Sequence, residues 1–308
     1  EVAGLLTAAS DRLTTALRSS LDARGERLRT LAGAYGLRRM PDRLREHAQR
    51  LDDLARRMTL GAGVRVSRTR EALTELAAQA MRERATPVHT TLRPIVDTCG
   101  TGGDGAGTFN ISTATALVAA GMGIPVAKHG NRAVSSSCGS ADVLEALGAD
   151  LTMPPERMAD CVRTVGIGFL FAPMLHGAMK YAIGPRRELG IRTIFNILGP
   201  LTNPAQPNVQ LTGVFAQELL APLAEVLARL GMKRALVVWG EGGMDELTVT
   251  GASHIADAHD GTVECSMVTP EELGLQRADI AEIKGGKSAA EAAEHVRAVV
   301  NGTPGAKL

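Results

Sequence analysis

The chain has 308 residues, enough for one large or two modest domains with an ample buried core. Its 44% hydrophobic and 22% charged residues exclude disorder along the whole chain, and 34 Lys and Arg against 33 Asp and Glu leave a net charge of +1, no global footprint for nucleic acid or a membrane surface. Four scattered cysteines (Cys99, Cys138, Cys161, Cys265) form no CxxC pair, which argues against a disulfide framework or structural zinc and for a reducing, cytoplasmic setting.

No apolar run approaches the roughly 20 residues that span a bilayer. Glu1-Val2-Ala3 carries neither a Met nor the basic start of a signal peptide, and so reads as a cut or processed end. Within residues 1–58, Leu13, Leu17, Leu21, Leu28 and Leu31 recur at helical spacing, and after a break at Gly33–Pro41 so do Leu44, Leu51, Leu54 and Met58. This predicts two amphipathic helices, paired antiparallel. The stretch holds twelve Arg, no Lys and eight acids. A solvated helical face accounts for that pattern better than a nucleic-acid-binding arm does. Residues 59–70 read as a polar, Gly-containing linker, and Glu71–Arg84 as a further helix ending near Pro87.

From Pro94 onward the pattern becomes α/β. Short apolar runs at Ile95–Val96, Ile124–Ala127, Ile167–Phe171 and Ala235–Trp239 alternate with helical stretches at Ser112–Ala120, Ser140–Leu147, Pro155–Val165 and Glu218–Leu230. Such alternation predicts a mainly parallel sheet. Thr248–Cys265 suggests a hairpin about Asp260-Gly261, and Ser288–Val300 a final amphipathic helix.

Three loops carry the chemistry. The first, Asp97-Thr98-Cys99-Gly100-Thr101-Gly102-Gly103-Asp104-Gly105, is followed by Thr108 and then Asn110-Ile111-Ser112-Thr113. Glycine-rich backbone before a helix start can turn several amide N–H groups towards an anion. Asn110, Ser112 and Thr113 are apt helix-capping residues. The same loop could simply be a tight strand-to-helix turn. Gly100, Gly102 and Gly105 also satisfy GxGxxG, but the following strand ends in Ala127-Lys128-His129, without the acid that a dinucleotide-binding site needs. Gly286-Lys287-Ser288 resembles the tail of a P-loop, but Ala281 occupies the place of its first glycine.

The second loop is Lys128-His129-Gly130-Asn131-Arg132-Ala133-Val134-Ser135-Ser136, leading to Ser140 and Asp142. Its cations and hydroxyls suit a phosphate or diphosphate. Two anion-ready turns at successive strand ends favour a polyphosphate cradle over two unrelated polar loops. The third, Glu241-Gly242-Gly243-Met244-Asp245-Glu246, places paired carboxylates at a strand end, where they suit Mg²⁺ shared with phosphate oxygens. No His cluster or Ser/His/Asp set points to zinc or acyl-enzyme chemistry.

Together with Arg186–Pro204 (RRELGIRTIFNILGPLTNP), these three loops resemble the anthranilate phosphoribosyltransferase family over about Glu71–Lys307. The resemblance implies a nucleoside-phosphorylase-like fold, with a small helical domain beside a large α/β domain whose central sheet is mainly parallel, paired as a homodimer. It implies transfer of the 5-phosphoribosyl group from 5-phosphoribosyl 1-diphosphate (PRPP) to anthranilate, a step of tryptophan biosynthesis, with Mg²⁺ as cofactor. Carried over by position, Gly100, Gly103, Asp104, Thr108, Asn110, Ile111, Ser112, Thr113, the run Lys128–Ser136 and Ser140 would hold PRPP. Lys128 and Arg132 would support the departing diphosphate. Ser112, Asp245 and Glu246 would bind Mg²⁺. Gly100, Asn131 and Arg186 would contact anthranilate, and His129, Pro173 and His176 would line its path.

Three departures accompany the resemblance. Residues 1–70, with Gln49-Arg50-Leu51-Asp52-Asp53-Leu54, do not match the family's first helices and resemble the helical region of the exonuclease VII large subunit. The family continues beyond Gly305-Ala306-Lys307, so a truncated C-terminus is expected. Gly177 follows His176 where the family has Pro. Another acceptor, as in pyrimidine nucleoside phosphorylase, and a non-catalytic chain whose N-terminal helices bind a partner remain alternative readings.

Overall fold

The computed structural model describes residues 2–35, 40–133, 138–189 and 191–303; the side chains of 2, 3, 5, 32–47, 183, 186, 187 and 189 lie outside that description. The chain divides into two units, Glu1–Thr69 and Arg70–Leu308.

The first unit consists of α1 (Val2–Tyr35) and most of α2 (Met40–Arg84). Arg18 and Asp52 approach to 4.0 Å between them. None of the unit's described residues is buried; Thr14, Leu21, Gly25, Leu28 and Ala48 are half-buried. The expected linker at 59–70 is helical and continuous with the segment predicted at Glu71–Arg84. Gly61 and Gly63 each cost a helix only about 1 kcal/mol relative to Ala, and no proline interrupts the run. Thr59 and Thr69 donate their hydroxyls to the carbonyls of Ala55 and Arg65, which keeps those polar side chains within the helix.

In the second unit a seven-stranded sheet has the order β3-β2-β1-β4-β5-β6-β7. Its strands are β1 (Val96–Asp97), β2 (Val126–Gly130), β3 (Ile167–Phe171), β4 (Val209–Gly213), β5 (Arg234–Gly240), β6 (Ser253–His259) and β7 (Thr262–Val268). The first five are parallel; β6 and β7 are antiparallel additions. Asp260 and Gly261, both at positive φ (49° and 77°), form the β6–β7 turn at the expected place. Strand β4 escapes sequence pattern because Gln210 and Thr212 are polar yet buried. Gln210 donates to Pro200 O and to Thr212 Oγ1, each at 2.7 Å, which satisfies both side chains inside the protein.

Around the sheet, besides the end of α2 and short 3-10 turns, stand helices α3 (Ile111–Gly121), α4 (Ser140–Ala146), α5 (Pro155–Thr164), α6 (Ala172–Leu175), α7 (Lys180–Leu189), α8 (Phe195–Leu198), α9 (Leu220–Arg229) and α10 (Ala289–Val300). Helix α9 buries Leu220, Leu223, Ala224 and Leu227, a helical stripe that packs with Ala78 of α2, Leu198, Leu201 and the β5–β6 residues Ala235, Val237, Ala256 and Ala258. Arg229 of α9 holds Glu71 and Glu75 of α2 at 3.4 and 3.0 Å. A second cluster joins α3, α4 and α10 through Ala114, Val143, Ala292, Ala293 and Val296, and a third packs Ile95, Ala127, Met158, Val162 and Leu170 around β1–β3. Strand β1 leads to β2 on one side while β4 leads to β5 on the other. The crevice at the carboxyl ends of β1 and β4 is therefore the switch point at which open α/β sheets bind ligands.

Candidate active site

The glycine loop leaves β1 directly into that crevice. Gly102, Gly103 and Gly105 take φ of +64°, +76° and +74°, a backbone path that side-chain-bearing residues rarely follow. The loop is fastened at several points. Thr101 N–H donates to Gly213 O at 2.9 Å, Phe215 N–H to Thr101 Oγ1 at 3.2 Å, and Arg192 Nη2 to Gly103 O at 2.7 Å. Gly102 N–H donates to Asp245 Oδ2 at 2.7 Å, which joins the glycine loop to the acidic loop after β5. Glycine is required at 213, where a Cβ would stand 1.4 Å from the Asp245 carbonyl oxygen.

Lys128 lies beneath this junction and is buried. Its Nζ donates to Thr98 O and Thr98 Oγ1, both at 3.3 Å, and to Ser112 Oγ at 3.2 Å. Asp97, at the end of β1, accepts from His129 N–H at 3.1 Å and from Asn203 Nδ2 at 2.8 Å. Burial pushes its carboxyl up to about 6, against the pull of Lys128 and the Asn203 bond.

Asp245 and Glu246 are half-buried with Asp104 close by. Burial, then the neighbouring Asp104 charge, raises Asp245 to about 6. Burial, then Asp245, raises Glu246 to about 8, with Lys128 opposing. Asp104 Oδ2 is buried without a hydrogen-bond partner. A carboxylate group short of positive charge, with one orphaned oxygen and the Ser112 hydroxyl within the same network, fits a hard, oxygen-seeking cation such as Mg²⁺. Among the described residues no three His, Cys, Asp or Glu side chains form a ready-made metal cage. The donor set is thus one that a ligand's own oxygens would complete.

In the second loop, Arg132 Nη1 binds Asp142 at 2.8 Å, its guanidinium also grips Glu145 at 2.8 and 3.0 Å, and it lies 5.6 Å from the Phe171 ring centre. Asn131 Oδ1 accepts from Arg132 N–H at 2.8 Å, and Asp142 Oδ2 accepts from the Ala133 and Gly139 amides at 3.0 and 2.9 Å. Ser140 Oγ donates to Asn131 O at 3.4 Å, and Gly130 packs so closely that a Cβ would meet that hydroxyl at 2.4 Å. Val134, Ser135 and Ser136 lie outside the described residues, as does the side chain of Arg186 on α7.

Asn110 precedes α3 but does not cap it through its side-chain oxygen as expected. Its Nδ2 is drawn instead to Cys138 O at 3.2 Å, while its main-chain carbonyl accepts from the Thr113 and Ala114 amides. Thr113 Oγ1 is buried and unpartnered, and Ser112 Oγ is engaged by Lys128. Thr108 bridges to Lys284, and Ile111 opens α3.

His129 and His176 form a buried pair, Nε2 to Nε2 at 3.2 Å with ring centres 5.1 Å apart. His129 Nδ1 lies 3.0 Å from Gly199 O, a carbonyl that can only accept. His129 therefore carries its proton on Nδ1, and His176 donates from Nε2. Burial, then His176, depresses His129 to about 3, and burial lowers His176 as well. Next to His176 is a mainly apolar cavity of about 260 Å³, lined by Met81, Arg84, Met179, Tyr181 and Phe195. Asp97, Thr98, Asn203, Arg192 and Gly213 were not singled out from sequence. Asp97, Thr98, Arg192 and Asn203 lie within the quoted motifs, but their partners are remote in the chain.

The sequence model of the glycosyl transferase family, a/b domain, matches residues 92–307, and the chain belongs to that family. Within it, the similar proteins are anthranilate phosphoribosyltransferases. That of Desulfotalea psychrophila is 62% identical over 243 residues, 77% of this chain and 70% of its own. The crystal structure of the Thermus thermophilus protein is 51% identical with a TM-score of 0.69, covering 73% of this chain and 66% of that one. The Saccharomyces cerevisiae protein in complex with PRPP and Mg is 31% identical with a TM-score of 0.66, covering 73% and 61%. The chain thus spans slightly less than two thirds of the length of these two solved structures.

Proposed function

We propose that this chain transfers the 5-phosphoribosyl group of PRPP to the amino group of anthranilate, releasing diphosphate and N-(5-phosphoribosyl)anthranilate, within tryptophan biosynthesis. The observation that carries the reading is the junction of three strand-end turns, with Asp245 bonded to the glycine loop above buried Lys128. Breaking the C1–diphosphate bond places positive charge on the ribose and negative charge on the leaving group. The glycine-loop amides other than those of Thr101 and Gly102, which are bonded to Gly213 and Asp245, supply fixed dipoles for that negative charge together with the start of α3. Lys128, from below, offsets Glu246 and Asp97. Asp245, Glu246 and Ser112 would hold Mg²⁺, with Asp104 alongside. When bound, the ion would neutralise charge on the diphosphate.

The weakly basic amine of anthranilate needs placement at C1 more than activation, and no covalent enzyme intermediate is required. Asn131, Arg186 and Gly100 are assigned to the acceptor. The His129–His176 pair and the cavity beside it are assigned to its path, the apolar lining suiting an aromatic ring. We assign the remaining predicted contacts, Thr108, Asn110 to Thr113, Gly130 to Ser136 and Ser140, to PRPP, with Arg132 at the diphosphate. A homodimer in the cytoplasm completes the proposal. Among the described residues no helix is long and apolar enough to cross a membrane. Mixing the chain with anthranilate, PRPP and Mg²⁺ should extinguish anthranilate fluorescence. Persistence of that signal at high protein concentration would contradict the assignment.

A further inference from the structure

We propose that Arg192 is a positioning residue for the donor substrate, clamping the outer lip of the glycine loop; what the loop holds rests on the reading just given. Three successive loop residues are each tied to a different element. Thr101 is bound to the end of β4, Gly102 to Asp245, and Gly103 to Arg192. The Arg192 guanidinium donates to Gly103 O at 2.7 Å while its carbon lies 4.2 Å from the Phe215 ring centre. Phe215 in turn donates its own N–H to Thr101 Oγ1. Arg192 and Phe215 thus form one stacked unit that grips the loop at two points.

The chemistry of that unit is specific to arginine. A planar guanidinium can stack on an aromatic face and donate in its own plane, whereas an ammonium cannot do both. Glycine-rich backbone has the most conformational freedom to lose when a ligand orders it. A clamp that orders Gly103 beforehand removes that cost from binding of the diphosphate, and adds a positive charge at the lip where the anion would lie. The same segment runs on to Phe195 beside the acceptor cavity, so it supports the donor loop from the acceptor side.

The test combines kinetics with hydrogen exchange in the intact chain. Arg192→Ala is expected to raise KM for PRPP about tenfold, with KM for anthranilate and the melting temperature nearly unchanged. Arg192→Lys should recover only part of the loss, Phe215→Leu should give an intermediate value, and added methylguanidine should lower the KM of Arg192→Ala. Without any substrate, amides of 97–110 should exchange faster in Arg192→Ala than in the parent. Unchanged exchange in this segment would overturn the clamp, as would a fall in kcat and stability together with no selective rise in the PRPP KM. If the parent lacks transferase activity yet Arg192→Ala still speeds exchange, the clamp stands and the functional reading fails.

Discussion

Gly213 shows how one missing carbon builds this site. With no Cβ, it lets the Asp245 backbone lie against the end of β4, and this places the Asp245 carboxylate on Gly102 N–H. The Gly213→Ala substitution forces main chain apart, because a backbone carbonyl cannot rotate away as a side chain would. We expect a loss of about 1–3 kcal/mol in stability, as for other overpacked sites. Mg²⁺-dependent PRPP binding should weaken as Asp245 moves off the glycine loop. Denaturant unfolding and a binding titration check both; a variant with parental stability and affinity would contradict the account. At this scale the sequence was informative wherever the chemistry is contiguous: glycines 100–105, the run from Lys128 and the pair Asp245-Glu246 were all visible. The contacts between Arg192 and Gly103, 89 residues apart, and between Asn203 and Asp97, 106 apart, depend on topology and leave no local trace.

Between elements, the pair formed by His129 of β2 and His176 after α6 predicts an acid-sensitive contact. His129 is held near 3 against an ordinary 6.5, and His176 is lowered too. The unfolded chain therefore takes up protons below about pH 6.5 that the folded chain refuses, so their contribution to stability is lost as pH falls from 6.5 towards 3. Each unit of separation is worth about 1.4 kcal/mol. Asp97 acts in the opposite sense. Raised to about 6, it makes the folded chain bind a proton that the unfolded chain releases, and stability falls as pH rises from about 3.8 to 6. The His129→Gln variant should leave Asp97 without this counterweight. Its melting temperature should fall less than the parent's between pH 7 and pH 5, and parallel curves would rule the buried neutral pair out. Element legibility followed the same logic as residue legibility. Apolar β3 and β5 and the periodic helix α9 were predicted in place, β4 was hidden by its internally bonded Gln210 and Thr212, and Gly61 and Gly63 disguised one continuous helix as a linker.

For the whole molecule, function depends on strand order. Strands β1, β2 and β5 are dispersed in the chain, but the order β3-β2-β1-β4-β5 brings their carboxyl ends to one edge, with β4 supplying the floor at Gly213. The sequence predicted a mainly parallel sheet from alternating runs; it could not order those strands, because pairing is decided by crossover packing rather than by any one segment. The central claim is that the three loops act as one receptor for a magnesium-bound sugar diphosphate. Titration calorimetry of PRPP with and without Mg²⁺, on the parent and on the Asp245→Ala/Glu246→Ala double variant, tests it most directly. The account predicts that Mg²⁺ tightens binding to the parent by tenfold or more and has no such effect on the variant; a variant that binds PRPP with Mg²⁺ as tightly as the parent would contradict it.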